Sequence, residues 1–210
     1  MKRSLIDRNK IDKNTLLLLH FDGNYTDYSI YKRNPISVNN ISYASGKYGQ
    51  SLSVLSLNTY IKYSKAWFVN LFNTGIYTID FWSKNTSDWN SFFGVDNGST
   101  SAFVCRSGST HFEYGIYDNP IIYLDYQGLT NGLFRHYAIV SDGNKVHLYI
   151  NGVLQISSPI KKVSFPNVDL TIGGRVINTS GVRNVNYIDE FRISSVVRWT
   201  SNFTPSTKPY

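Results

Sequence analysis

The chain has 210 residues, 41% hydrophobic and only 17% charged, enough apolar material for one sizeable core and too little charge for a disordered segment. A single cysteine and a single methionine exclude a disulfide scaffold and a thiolate metal cage, and abundant Asn, Ser, Thr and Tyr with few Glu and Ala exclude a helical bundle. The formal net charge is +7, of which +3 lies in residues 1–14, where Lys2, Arg3, Arg8, Lys10 and Lys13 face Asp7 and Asp12. The remaining charge is scattered singly, with no basic run interleaved with aromatics, so a solvated surface with a basic arm is expected rather than a nucleic-acid interface.

In chain order, the basic leader ends near residue 14 and residues 15–21 read as the first strand, stopped by Asp22-Gly23-Asn24. A turn over 46–49 precedes strands at 51–54 and 60–63, and residues 65–71 offer the one short helical pattern. In 78–82, Ile79 and Phe81 share one face while Asp80 and Trp82 share the other. Short strands follow at 91–95, 101–106, 111–117 and 121–126. The strongest local signal is a meander: 136–141, a turn at Asp142-Gly143-Asn144, 145–150, the type I′ pair Asn151-Gly152, and 153–157. Strands at 170–174 and 187–194 close the pattern, which is that of an all-β sandwich without internal repeats.

The start, Met1-Lys2-Arg3-Ser4-Leu5-Ile6, runs directly into Asp7-Arg8-Asn9-Lys10, without the apolar stretch of about 7–15 residues that a secretion signal needs. Residues 16–19 are too few to span a bilayer. Neither routine export nor membrane insertion is expected. Leu5, Ile6 and Ile11 in an otherwise polar leader predict an arm that extends from the sandwich and mediates self-assembly or docking on a partner.

An ordered set of short motifs carries a family likeness. Leu17-Leu18-Leu19-His20-Phe21-Asp22-Gly23 is followed by Tyr48-Gly49-Gln50-Ser51-Leu52 and Tyr77-Thr78-Ile79-Asp80-Phe81-Trp82. Next come His136-Tyr137-Ala138-Ile139-Val140, Leu148-Tyr149-Ile150-Asn151-Gly152, Ile172-Gly173-Gly174 and Ile188-Asp189-Glu190-Phe191-Arg192-Ile193-Ser194. From about residue 15 to the end, the chain resembles the laminin-G-like group of concanavalin A-like lectin/glucanase domains. The closing Arg198-Trp199-Thr200-Ser201-Asn202-Phe203-Thr204-Pro205 is similar to copies in bacteriophage virion and prophage proteins. The resemblance implies a jelly roll of two antiparallel sheets over residues 15–210, with a concave face and loops that often bind glycans. Fold alone does not decide function, because lectins, adhesion modules and hydrolases share it.

Against hydrolysis, Glu113 and Glu190 are the only glutamates, and nothing matches the closely spaced acids of this fold's hydrolases. Adjacent strand positions should send Asp189 and Glu190 to opposite faces. His20, His111, His136 and His147 lack ligand spacing, although His136 and His147 could be cross-strand neighbours. For a metal, the resemblance implies a structural Ca²⁺ between the early Asp-Gly loop, the Lys-Tyr-Gly turn and the late Ile-Asp-Glu strand, here Asp22, Gly46, Tyr48 and Asp189. For glycans, aromatic faces beside polar groups are the expected chemistry. The matching loop residues are Trp89 with Asn90, Tyr114 and Tyr117 with Asp118, and Tyr123 with Tyr126, whereas Trp82 and Trp199 are expected in the core.

The expected function is a non-catalytic, lectin-like domain of a phage or prophage virion that recognises cell-surface polysaccharide or glycoconjugate. It would be found in the particle, or in the lysogen's cytoplasm before release. The alternatives are a structural virion decoration protein without a glycan ligand and, behind it, a glycoside hydrolase.

Overall fold

A computed structural model describes residues 12–56, 58–95, 103–116, 119–163, 165, 167–174 and 186–210. Most of the basic leader, Tyr117 and Asp118 therefore lie outside the described residues. The strands are β1 (Thr15–Leu19), β2 (Ser37–Asn39), β3 (Tyr43–Ser45), β4 (Gln50–Val54) and β5 (Tyr60–Tyr63), followed by helix α1 (Lys65–Thr74). Then come β6 (Ile76–Asn85), β7 (Asn90–Val95), β8 (Phe103–Ser107), β9 (His111–Ile116), β10 (Asn119–Asp125) and β11 (Phe134–Asp142). The last are β12 (Lys145–Ile150), β13 (Val153–Pro159), β14 (Leu170–Gly173) and β15 (Asn186–Ser194).

Two antiparallel sheets form a jelly-roll sandwich. One runs β13-β12-β11-β6-β15-β4-β3 with β1 added on β15, and the other runs β10-β9-β8-β7-β14-β5-β2. The period-2 pattern of β6 explains why it sits centrally: Ile79 and Phe81 enter the core between the sheets, while Asp80 and Trp82 face outward. The core is aromatic. Phe81 stacks on Tyr137 at 5.4 Å and meets Phe92 at 5.0 Å, so rings from both sheets interlock.

Helix α1 begins where the Ser64 hydroxyl accepts from the Ala66 amide and ends at Gly75, whose φ of 70° only glycine adopts readily. It is one turn longer than its sequence pattern, and Phe68 and Leu71 carry its buried side.

The outer face of the β6-containing sheet does not meet water directly. Residues 195–210 run back across it, and Val197, Trp199 and Phe203 pack on Ala138, Val140 and Tyr149. Trp199 and Phe203 stack at 3.9 Å, and the Phe203 amide donates to the Gly152 carbonyl at 2.9 Å. Under this segment Asp80 is buried, bonded to Arg192 at 2.9 and 3.0 Å and to the Tyr210 hydroxyl. Trp82 and Trp199 are thus covered or half-covered, as expected for this motif.

Two local expectations change. His147 lies opposite Val140, while His136 accepts from the Asn151 amide through its carbonyl, so the two histidines are not cross-strand neighbours. The register also slips between Asp189 and Arg192, with Glu190 at φ 49°. This bulge breaks strict alternation, so the two acids do not simply point apart. Asp189 reaches the Tyr48 amide, whereas Glu190 reaches His20 and the Tyr210 amide.

Candidate functional site

The outer face of the second sheet carries a compact aromatic and charged group. Registers align Ser91 with Arg106, Arg106 with Glu113, and Glu113 with Tyr123 across β7 to β10. Period 2 within β9 puts His111 on the same face as Glu113. Arg106 Nε donates to Glu113 Oε2 at 2.7 Å, and His111 Nε2 lies 3.4 Å from Glu113 Oε1. All three side chains are buried although they belong to the outer face, because aromatic rings cover them.

Those rings form a row. Trp89 meets His111 edge-on at 4.8 Å, and His111 stacks on Tyr123 at 5.4 Å with 9° between planes. The Arg106 guanidinium lies 4.8 Å from the centroid of the Trp89 ring. Trp89 and Tyr123 stay 39% and 49% exposed, so each offers a free surface to solvent. Trp89 gets there through a tight loop at φ 58°, held by Asp88, whose carboxylate accepts from the Trp89 and Ser109 amides. Gly108 closes that loop; a Cβ there would lie 2.8 Å from His111 and 2.9 Å from Asp88.

Of the glycan candidates, the structure brings Trp89 and Tyr123 together. It removes three others from that surface. Tyr114 is fully buried and donates to the Tyr77 hydroxyl at 3.0 Å, since even positions of β9 face the core. Asn90 is buried and its carboxamide donates to the Ser87 carbonyl, which braces the loop. Tyr126 leaves β10 and packs against the core. Tyr117 and Asp118 lie outside the described residues. Arg106, His111 and Glu113 are the residues that sequence reasoning missed, although the alternation of His111 and Glu113 within one strand was a readable sign.

At the rim of the other sheet, two carboxylates bracket the turn over 46–50. Asp189 Oδ2 accepts from the Tyr48 amide and Asp22 Oδ1 from the Gln50 amide, both at 2.8 Å. Gly46 and Gly49 are the close approaches: a Cβ would stand 2.7 Å from Asp189 Oδ2 and 2.3 Å from Asp22 Oδ1. Asp189 Oδ1 is buried without a hydrogen-bond partner. Burial pushes the Asp189 carboxyl up to about 8, with Glu190 and Asp22 adding repulsion. No group of three His, Cys, Asp or Glu side chains poised for a metal occurs among the described residues. The two carboxylates, with Asp189 Oδ1 unpartnered, are oxygen donors of the kind a hard cation such as calcium takes, although the turn offers them its amides.

A model of the laminin G type, described as the Concanavalin A-like lectin/glucanases superfamily, matches residues 57–201. The chain belongs to this superfamily. Among solved structures it is similar to the binding domain of Paraclostridial Mosquitocidal Protein 1, with a TM-score of 0.69 and 15% identity over 88% of this chain and 49% of that one. It is also similar to the binding domain of botulinum neurotoxin serotype D, with a TM-score of 0.67 and 16% identity over 91% and 50% of the two chains. A third is botulinum neurotoxin type C, whose cell entry depends on interaction with two ganglioside molecules, with a TM-score of 0.63 and 15% identity over 90% and 49%. At this identity the likeness is one of fold, and the chain spans about half the length of these toxin domains. Comparison with curated proteins finds no match. No helix among the described residues is long and apolar enough to cross a membrane.

Proposed function

We propose that the domain binds carbohydrate without cleaving it, through the Trp89–His111–Tyr123 row. The observation that carries this reading is the pairing of two exposed rings with a buried polar group beneath them. Sugar C–H faces stack on aromatic faces, while charged and amide groups fix hydroxyl orientation. A concanavalin A-like fold and a neighbour that interacts with gangliosides support a cell-surface glycoconjugate as ligand class. Glycan-array binding that is lost in Trp89→Ala and Tyr123→Ala, with an unchanged melt, tests it.

The non-catalytic reading is supported by where the glutamates lie. Glu113 is on β9 and bonded to Arg106, while Glu190 is on β15 of the other sheet, so they do not flank one sugar. Turnover of a polysaccharide panel would contradict it.

A structural calcium ion belongs to the proposal. Asp22 and Asp189 would hold it with carbonyls of the 46–50 turn, and its charge would offset the repulsion at Asp189 and fasten the first strand to the last. The virion setting rests on the closing 198–205 stretch, with the leader docking the domain on itself or on another particle protein. Tail and lysis genes beside the coding sequence would agree with this setting, and metabolic neighbours would contradict it.

A further inference from the structure

The segment 195–210 covers the outer face of the β6-containing sheet only in part. Beyond it, next to Pro205, Ser206 and Thr207, a pocket of about 440 Å³ opens over Trp82, Phe134, Asn151, Tyr48 and Lys47. It lies on the opposite sheet from Trp89 and Tyr123. Its size falls within the range of small-molecule sites.

Its lining is basic and aromatic, with Asp189 behind it on the Tyr48 amide at 2.8 Å. The Lys47 ammonium stands 4.4 Å from the centroid of the Trp82 ring, and the Lys84 ammonium stands 5.2 Å from that of Phe134 and 4.1 Å from that of Tyr187. Registers explain the grouping, because Lys84 lies opposite both Phe134 and Tyr187. No carboxylate is among the residues that line the pocket. Trp82 Nε1 is buried with no hydrogen-bond partner, an unmet donor in a residue that lines the pocket. The Tyr48 hydroxyl donates to the Ser206 carbonyl, which fixes one wall.

We infer that this pocket is a second binding site, for a sugar ring that carries a carboxylate, of the uronic or sialic acid type. The half-buried Tyr48 and Phe134 rings receive the sugar's C–H face. Lys47 and Lys84 supply the positive field that selects an acid over its neutral counterpart. The site stands apart from the Trp89–Tyr123 row, so each can fail without the other.

Titration calorimetry of the intact protein with methyl glucuronide and N-acetylneuraminic acid, against methyl glucoside, tests the inference. In the Trp89→Ala variant, which removes the first site, the acids should bind and the neutral sugar should not, with affinity falling as salt rises. Lys47→Ala, at an exposed position, should raise Kd by about tenfold. Lys84→Ala should weaken binding in the same direction, and Trp89→Ala should leave it intact. Equal binding of the neutral sugar in Trp89→Ala, no binding of either acid, or acid binding lost in Trp89→Ala but kept in Lys47→Ala would overturn it.

Discussion

The Arg106 guanidinium and the Glu113 carboxylate face each other across β8 and β9 at 2.7 Å, and the rings of the candidate site rest on this pair. Both side chains are more than nine-tenths buried, so each charge offsets the other at close range. Trp89 leans on the guanidinium and His111 on the carboxylate. The pair therefore sets the spacing of the surface that solvent sees.

Removing one partner takes the 2.7 Å ion-pair contact from the other buried charge. Arg106→Met and Glu113→Gln should each cost about 3 kcal/mol of stability, and the double variant should recover much of that loss. Denaturant melts of the four proteins check it; additive losses would show that the two residues are energetically independent.

Much of this was legible in the sequence. Strand alternation in 78–82, the Asn151-Gly152 turn and the ordered motifs were enough for the sandwich. Trp89 and Tyr123 stood out as aromatics in polar loops. Alternation could pair His111 with Glu113, but their link to Arg106 and Tyr123 comes from register between three strands, and register is a tertiary property. Tyr114 misled for the converse reason: it was read beside Asp118-Asn119 as a loop aromatic, but it lies within β9 and faces the core. The bulge at Glu190 left no readable mark, since it is the partner strand that reveals it.

Under the closing segment, Asp80 gives a pH prediction. Burial alone would raise its carboxyl, but Arg192 and His136 hold it well below the usual carboxylate range. A depressed folded value means stability that is present above the unfolded value of 3.8 and lost as pH falls below it. Asp80→Asn should cost about 3 kcal/mol at pH 7 and should flatten the acid limb of the melt. An acid limb identical in wild type and variant would contradict the assignment.

Gly152 docks that same segment. It sits at φ 79°, and a Cβ would fall 1.8 Å from the Phe203 carbonyl oxygen. Gly152→Ala should therefore lift residues 203–205 off the sheet and lower the melting temperature by several degrees. Limited proteolysis should cut the variant first near its C-terminal end; wild-type resistance there would show that the contact is dispensable.

Calcium should raise the melting temperature, because a ligand that binds only the native state stabilises it by mass action. Asp189→Asn should abolish the shift while leaving the chelated protein folded. A wild-type melt that is the same in chelator and in millimolar calcium would contradict the ion.

The central claim is that the Trp89–His111–Tyr123 row binds glycan, and titration calorimetry on the best array ligand tests it most directly. Both terminal rings are exposed, so Trp89→Ala and Tyr123→Ala should remain folded. Each should weaken binding by about tenfold or more, since a lost stacking ring removes both contact area and the wall that orients the sugar. Unchanged affinity in both variants, with melts equal to wild type, would contradict the account.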